Sequence, residues 1–268
     1  MGHPTIYPTG VTVYDPERSW NGFTIFQAQE VGAVLMDMNG REVNVWKGVH
    51  GMPNKIFPGG YLLTSRGRRS GKYSVQDGLD VIQVDWDGNI VWKFDRNEFI
   101  DDPGIPGRWM ARYHHDFQRE GSTTGYYAPG MEPKTDSGNT LVLAHRNARN
   151  PKISDKQLLD DVILEVDWDG DIVWEWKVSD HFEELGFDAI EFTDLQPPEG
   201  VTEEEYAHQI RQECDRVGLP VSNYTIGADL LNRDLKEEVE RLKKKVDIAA
   251  ILGTSSMRHD ACWGWKEG

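Results

Sequence analysis

Cysteine is scarce: Cys214 and Cys262 are the two in 268 residues. That argues against a disulfide framework, and neither cysteine stands in the Cys-x-x-Cys pair that would suggest zinc or redox chemistry. Basic residues are also short, 29 against 45 acidic, for a formal net charge of −16. Such a surface repels phosphate backbones and anionic bilayers, so neither nucleic acid nor membrane is an expected partner. Long apolar runs are missing, and no stretch approaches membrane-spanning length. The opening MGHPTIYPTGVTVYDPERSW has no basic segment leading into an apolar one. No secretory leader is therefore expected, and the cytoplasm is the expected compartment.

Tryptophan, by contrast, is abundant, with ten in the chain. Five belong to a motif written three times: VLMDMNGREVNVW (34–46), VIQVDWDGNIVW (81–92) and VILEVDWDGDIVW (162–174). Each is an alternating apolar run, an Asn-Gly or Asp-Gly step, and a second run ending in Trp. The positive φ angles those steps supply predict a two-residue hairpin turn in each copy. A hairpin recurring every few tens of residues predicts the blades of a β-propeller, with large aromatics packed between stacked sheets. The expected first blade is hairpin 33–47 followed by PNKIFPGGYLLTS (53–65). The second is hairpin 80–94 followed by HHDFQ (114–118) and SGNTLVLAHR (137–146). A third starts at 160–177, and GVTVY and GFTIFQA near the start read as short strands. Stretches 96–112 and 119–136 are long enough to be functional rim loops.

From about Gly186 the pattern changes. FDAIEFTDL and LPVSNYTI read as strands, and SSMRHD as a strand end. Thr202 and Glu205 form a capping box for a helix ended by Gly218, with Tyr206, Ile210, Cys214 and Val217 on one face. Asp234 caps a second helix, ended at Gly253, with Leu235, Val239, Leu242, Val246 and Ala250 expected inward. The expected fold class is thus mainly β with an α/β tail: about three propeller blades over 1–187, then a βαβαβ segment over 188–268.

The ordered set GVTVYDPERSWNGFTIF, GAVLMDMNG, PGGYLL, DWDGNIVWKF, HHDFQ, GNTLVLAHR and DWDGDIVWEWKVSDHFEELGF resembles the bacterial arylsulfotransferase family over residues 10–187. The resemblance implies a propeller of six-bladed type. It also implies transfer of a sulfuryl group from an aryl sulfate to a phenol through a histidine, with no cofactor. An imidazole suits that role as both nucleophile and leaving group. HHDFQ resembles the first of the family's channel histidine positions, with His115 favoured over His114 and the pair left open; the resemblance places the sulfated histidine itself in a later blade. Arg146 is the expected third catalytic residue and His145 a substrate contact at the same mouth, with no metal. A solvated or strand-packing histidine is the plainer alternative for each; His50 and His181 are expected at the surface.

Residues 186–263 resemble the sugar phosphate isomerase/epimerase family, through GFDAIEFTDLQPPEG, EEYAHQIRQECDRVGLPVSNYTIGADLLN and LKEEVERLKKKVDIAAILGTSSMRHDA. That resemblance implies a TIM barrel binding a divalent metal, with chemistry at strand C-termini. Glu191 and His259, with Asp194 and Tyr224, fall at such ends, though the same residues equally suit half-buried structural positions. A third reading is a non-catalytic fusion or truncated propeller that assembles as a homo-oligomer.

Overall fold

The computed structural model describes residues 13–28, 30–69, 77–122, 131–181 and 184–262. The chain is mostly β and divides into two compact units, Met1–Phe182 and Glu183–Gly268. Among the described residues no helix is long and apolar enough to cross a membrane. The expected strand GVTVY (10–14) begins outside the described residues, and Val13 and Tyr14 are not in a strand.

Three antiparallel sheets organise the first unit. The first holds β1 (Phe23–Ala28), β2 (Gly32–Asp37) and β3 (Glu42–Lys47). The second holds β4 (Lys55–Phe57), β5 (Tyr61–Thr64), β6 (Val81–Val84) and β7 (Ile90–Phe94). A two-stranded ribbon follows, β8 (Glu98–Ile100) and β9 (Arg108–Met110), where the sequence suggested a rim loop. The third sheet holds β10 (Tyr113–Arg119), β11 (Thr140–Ala148), β12 (Leu158–Val166) and β13 (Ile172–Lys177). Part of the other expected rim loop, 123–130, lies outside the described residues.

Two expectations change. Each Trp-ended hairpin closes its sheet rather than opening it: KIF and YLLT pair ahead of VIQV and IVWKF, not behind the hairpin of residues 33–47. The reason is antiparallel pairing of β5 with β6 across the long connection, which sequence order alone does not reveal. The turns also differ from two-residue hairpins. Asp37 and Arg41 bracket three loop residues, the Gly40 amide donates to Asp37 O, and of those residues only Gly40 is left-handed, at φ 77°. Gly88 (87°) and Gly170 (85°) repeat this, the form of a type I turn closed by a left-handed glycine. The leading Asp holds the loop: Asp85 accepts from the Asp87 and Asn89 amides, and Asp167 from those of Asp169 and Asp171.

The second sheet is buried on both faces. Leu62, Ile82 and Val84 pack with Ala33, Leu35 and Trp46 of the first sheet. Leu63, Val81, Trp92 and Phe94 pack with Phe117, Val142, Val162 and Leu164 of the third. Period-two alternation sends neighbours such as Leu62 and Leu63 to opposite faces. Indoles tie sheet to sheet: Trp46 donates to Asp85 O at 2.8 Å, and Trp92 to Asp167 O at 3.2 Å. The Arg119 guanidinium contacts the rings of both Trp92 and Trp168, and burial pushes it down to about 10. Trp46→Phe should cost about 1 kcal/mol, the worth of a net hydrogen bond, in a urea melt read by tryptophan fluorescence. No change would show that the indole contact adds nothing to its burial. The sheets do not close into a ring among the described residues: several antiparallel sheets are present, and a propeller is not shown.

The second unit is an open parallel sheet, β14 (Ile190–Thr193), β15 (Val221–Ile226) and β16 (Met257–His259), with α1 (Glu203–Val217) and α2 (Leu235–Leu252). A TIM barrel is not formed among the described residues. The Thr202–Glu205 capping box and the left-handed Gly218 and Gly253 are present as expected. The inward face of α2 is present only in part: Leu242 packs against the core as expected. Leu235, Val239 and Val246 are exposed, as is Val217 of α1, whereas Glu238, Ile248, Ala249 and Leu252 are buried. The rotation follows the charges: Glu238 accepts from Arg241, Arg233 and the Asp229 amide, and Lys245 pairs with Asp194 and Glu203. These bonds, Arg241's foremost, hold the Glu238 carboxyl down at about 2 against an ordinary 4.5. A carboxyl lowered on folding stabilises above its unfolded value and loses that effect as pH falls through the folded one. The far-ultraviolet helix signal should therefore weaken as pH drops from about 4.5 toward 2. Glu238→Gln should flatten that dependence; an unchanged acid profile would rule it out.

Candidate functional site

The site begins at an irregularity in β10. Tyr113 pairs with Ala144 and Phe117 with Val142, so four steps along β10 match two along β11. The surplus residues bulge, and His115 adopts φ 57°. A left-handed non-glycine residue costs about 1–3 kcal/mol and persists only where its surroundings enforce it. Here Lys55, buried on β4, donates to Phe117 O at 2.6 Å and pairs with Asp116 at 2.6 Å, pinning the bulge from the second sheet. The bulge turns His114 inward, 6% exposed, and leaves His115 exposed. Their Nδ1 atoms meet at 2.8 Å.

A cross-strand pair completes the cluster. His145 on β11 sits directly opposite Asp161 on β12, and directly opposed side chains share a face. Asp161 Oδ1 lies 3.5 Å from His145 Nε2 and 3.0 Å from His114 Nε2. The second approach is close but out of line, since His114 Nε2 makes no hydrogen bond. The rings of His114 and His145 stack at 3.9 Å. Next to it, the His114 imidazole, ahead of any effect of burial, holds the Asp161 carboxyl below its usual range.

Behind His145 stands a buried charge network. His145 Nδ1 donates to Asp77 Oδ1 at 2.6 Å, and Asp77 Oδ2 accepts from Arg112 at 3.0 Å and Arg69 at 2.8 Å. Burial alone would raise the Asp77 carboxyl, but His145, Arg112 and Arg69 together keep it lowered. Gly78 sets Asp77 in place: its amide donates to Tyr113 O at 2.7 Å, and a Cβ there would lie 1.9 Å from the Tyr113 ring. Arg112 also pairs with Glu98, and Arg69 with Asp102 on the wall of a shallow depression over Asp101–Pro106. With Asp77 taking Nδ1–H, the other ring nitrogen of His145, Nε2, is turned toward Asp161.

Of the expected residues, His114, His115 and His145 come together. Arg146 is engaged elsewhere: it pairs with Glu175 and donates to Asn97 Oδ1 at 2.6 Å, so its charge is already matched. Asn97 also donates to His145 O. His50 is exposed, and His181 stacks on Trp176 at 4.9 Å. In the second unit, Glu191 accepts from Thr225 and Asn223, and His259 Nδ1 meets Asp260 O at 2.8 Å. Asp194 and Tyr224 belong to the Lys245–Glu203 network. Sequence reasoning missed Asp161 and Asp77. The acidic step Asp160–Asp161 inside an alternating apolar strand was a signal, because alternation puts one carboxylate on each face.

Comparison with known proteins gives one match: residues 132–215 fit the family model of arylsulfotransferase (ASST). That is less than a third of the chain. It includes His145 and Asp161 and stops short of His114 and His115. Neither a curated protein nor a solved structure matches the chain. Nothing found supports the resemblance to sugar phosphate isomerases and epimerases.

Proposed function

We propose that this protein transfers a sulfuryl group from an aryl sulfate to a phenol, with His115 as the nucleophile. The match to the arylsulfotransferase model supports the reaction class. The observation that carries the role of His115 is the line Asp161–His114–His115. A carboxylate 3.0 Å from His114 Nε2 favours a proton on that nitrogen. His114 Nδ1 is then an acceptor, so the His115 Nδ1 at 2.8 Å must donate to it. That leaves the His115 Nε2 lone pair on the exposed ring, free to attack.

In the first half-reaction His115 Nε2 bonds to sulfur as the sulfur–oxygen bond to the donor breaks, releasing phenoxide. The positive charge on the sulfated ring is shared through Nδ1–H with His114 and balanced by Asp161. In the second, the acceptor phenol oxygen attacks sulfur, the sulfur–nitrogen bond breaks, and His115 is restored. The proton lost by the acceptor replaces the one taken up by the departing phenoxide. Incubation with a chromogenic aryl sulfate and a phenol tests the reading. Release of coloured phenol that depends on the acceptor, and a sulfuryl adduct trapped on His115 by rapid quench and mass spectrometry, are expected. A folded chain that releases no phenol would refute it.

A further inference from the structure

We infer that His114, His145 and Asp161 form a binding site for one divalent transition metal of the zinc class. The inference does not rest on sulfuryl transfer, and bound metal would displace the proton that the transfer reading places on His114 Nε2. His114 Nε2, His145 Nε2 and an Asp161 oxygen all lie within 4.8 Å of one another. Zinc holds nitrogen and oxygen ligands at about 2.0–2.2 Å, which puts tetrahedral ligand atoms roughly 3.4 Å apart. The two nitrogen–carboxylate separations, 3.0 and 3.5 Å, bracket that spacing, and metal entry would turn one imidazole out of the His114–His145 stack, because a ligand lone pair lies in its ring plane.

Three features distinguish this cluster from a chance grouping of polar residues. First, His114 is more than nine-tenths buried and its Nε2 has no hydrogen bond, a vacancy that buried polar atoms rarely keep. Second, His145 is set up as a ligand. Asp77 takes its Nδ1–H, the outer carboxylate that fixes the tautomer of metal-bound histidines. Its Nε2 then faces Asp161 Oδ1 at 3.5 Å, a nitrogen and a carboxylate oxygen turned toward one space. Third, the site has a way in: the Asp161 side chain is 56% exposed, while both imidazoles are buried. Two imidazoles and one carboxylate with an open side match catalytic more than structural zinc sites, which close all four positions.

The test is equilibrium dialysis of the full chain, stripped with chelator, against zinc, with Co²⁺ as the spectroscopic substitute. One zinc per chain and visible cobalt d–d bands are expected. Asp161→Asn and His145→Gln should each weaken binding at least about 100-fold, and Asp77→Asn about 10–100-fold. Asp161→Asn is the safest variant for folding, because its side chain is largely solvated. Absence of stoichiometric binding, or binding that the ligand variants leave unchanged, would overturn the proposal. Failure here is distinct from failure of sulfuryl transfer, because dialysis uses no aryl sulfate. Conversely, a chain that holds zinc yet releases no phenol keeps this site and loses that reading.

Discussion

His115→Asn should lower aryl-sulfate turnover by at least about 10⁴-fold, the scale of losing a nucleophile. Asparagine is the informative replacement because it accepts the left-handed backbone that His115 adopts, so the bulge survives. The position is exposed, and stability should stay within about 0.5 kcal/mol of the parent. His114→Gln should cost less, about 10²–10⁴-fold, because it removes the positioning partner and leaves the nucleophile. The order of the two effects is the diagnostic. If His114→Gln were the more damaging, or His115→Asn kept a substantial share of turnover, the line from Asp161 through His114 would not orient His115.

The second large effect belongs to Asp77. Its carboxylate is fully buried and joins Arg69, Arg112 and His145. Asp77→Ala would leave Arg112, itself 1% exposed, with Glu98 as its one remaining carboxylate partner. Removing one member of a buried ion pair costs about 3–5 kcal/mol, because the other charge stays desolvated. Arg69 keeps Asp102, which places the expectation near the lower end. Urea melts read by tryptophan fluorescence suit the measurement: all tryptophans except Trp263 and Trp265 belong to the first unit. A loss below about 1 kcal/mol would mean that the network relaxes or admits water. Asp77→Asn isolates the charge, since it keeps the side-chain shape while no longer balancing Arg112.

Much of the local structure was legible in the chain. The three Trp-ended hairpins, both capped helices and the strands around them follow from turn chemistry, alternation and capping, which act over a few residues. The inward face of α2 was legible only in part, because Leu235, Val239 and Val246 outvote Glu238 in any count of apolar periodicity. Only the partners Arg241, Arg233 and the Asp229 amide, supplied by folding, make burial of Glu238 favourable. The site was half legible. An adjacent pair of histidines draws notice, but Asp161 and Asp77 are ordinary acids until pairing sets them against His145.

The amino-acid order alone therefore determined the turns, the helix ends and the Trp-bearing strand edges, since those depend on neighbours in the chain. The tertiary structure decided which strands share a sheet, which way His114 and His115 face, and that Asp77 lies beneath His145. Those outcomes depend on contacts between residues tens of positions apart, where close packing and the need to satisfy buried charge select the register.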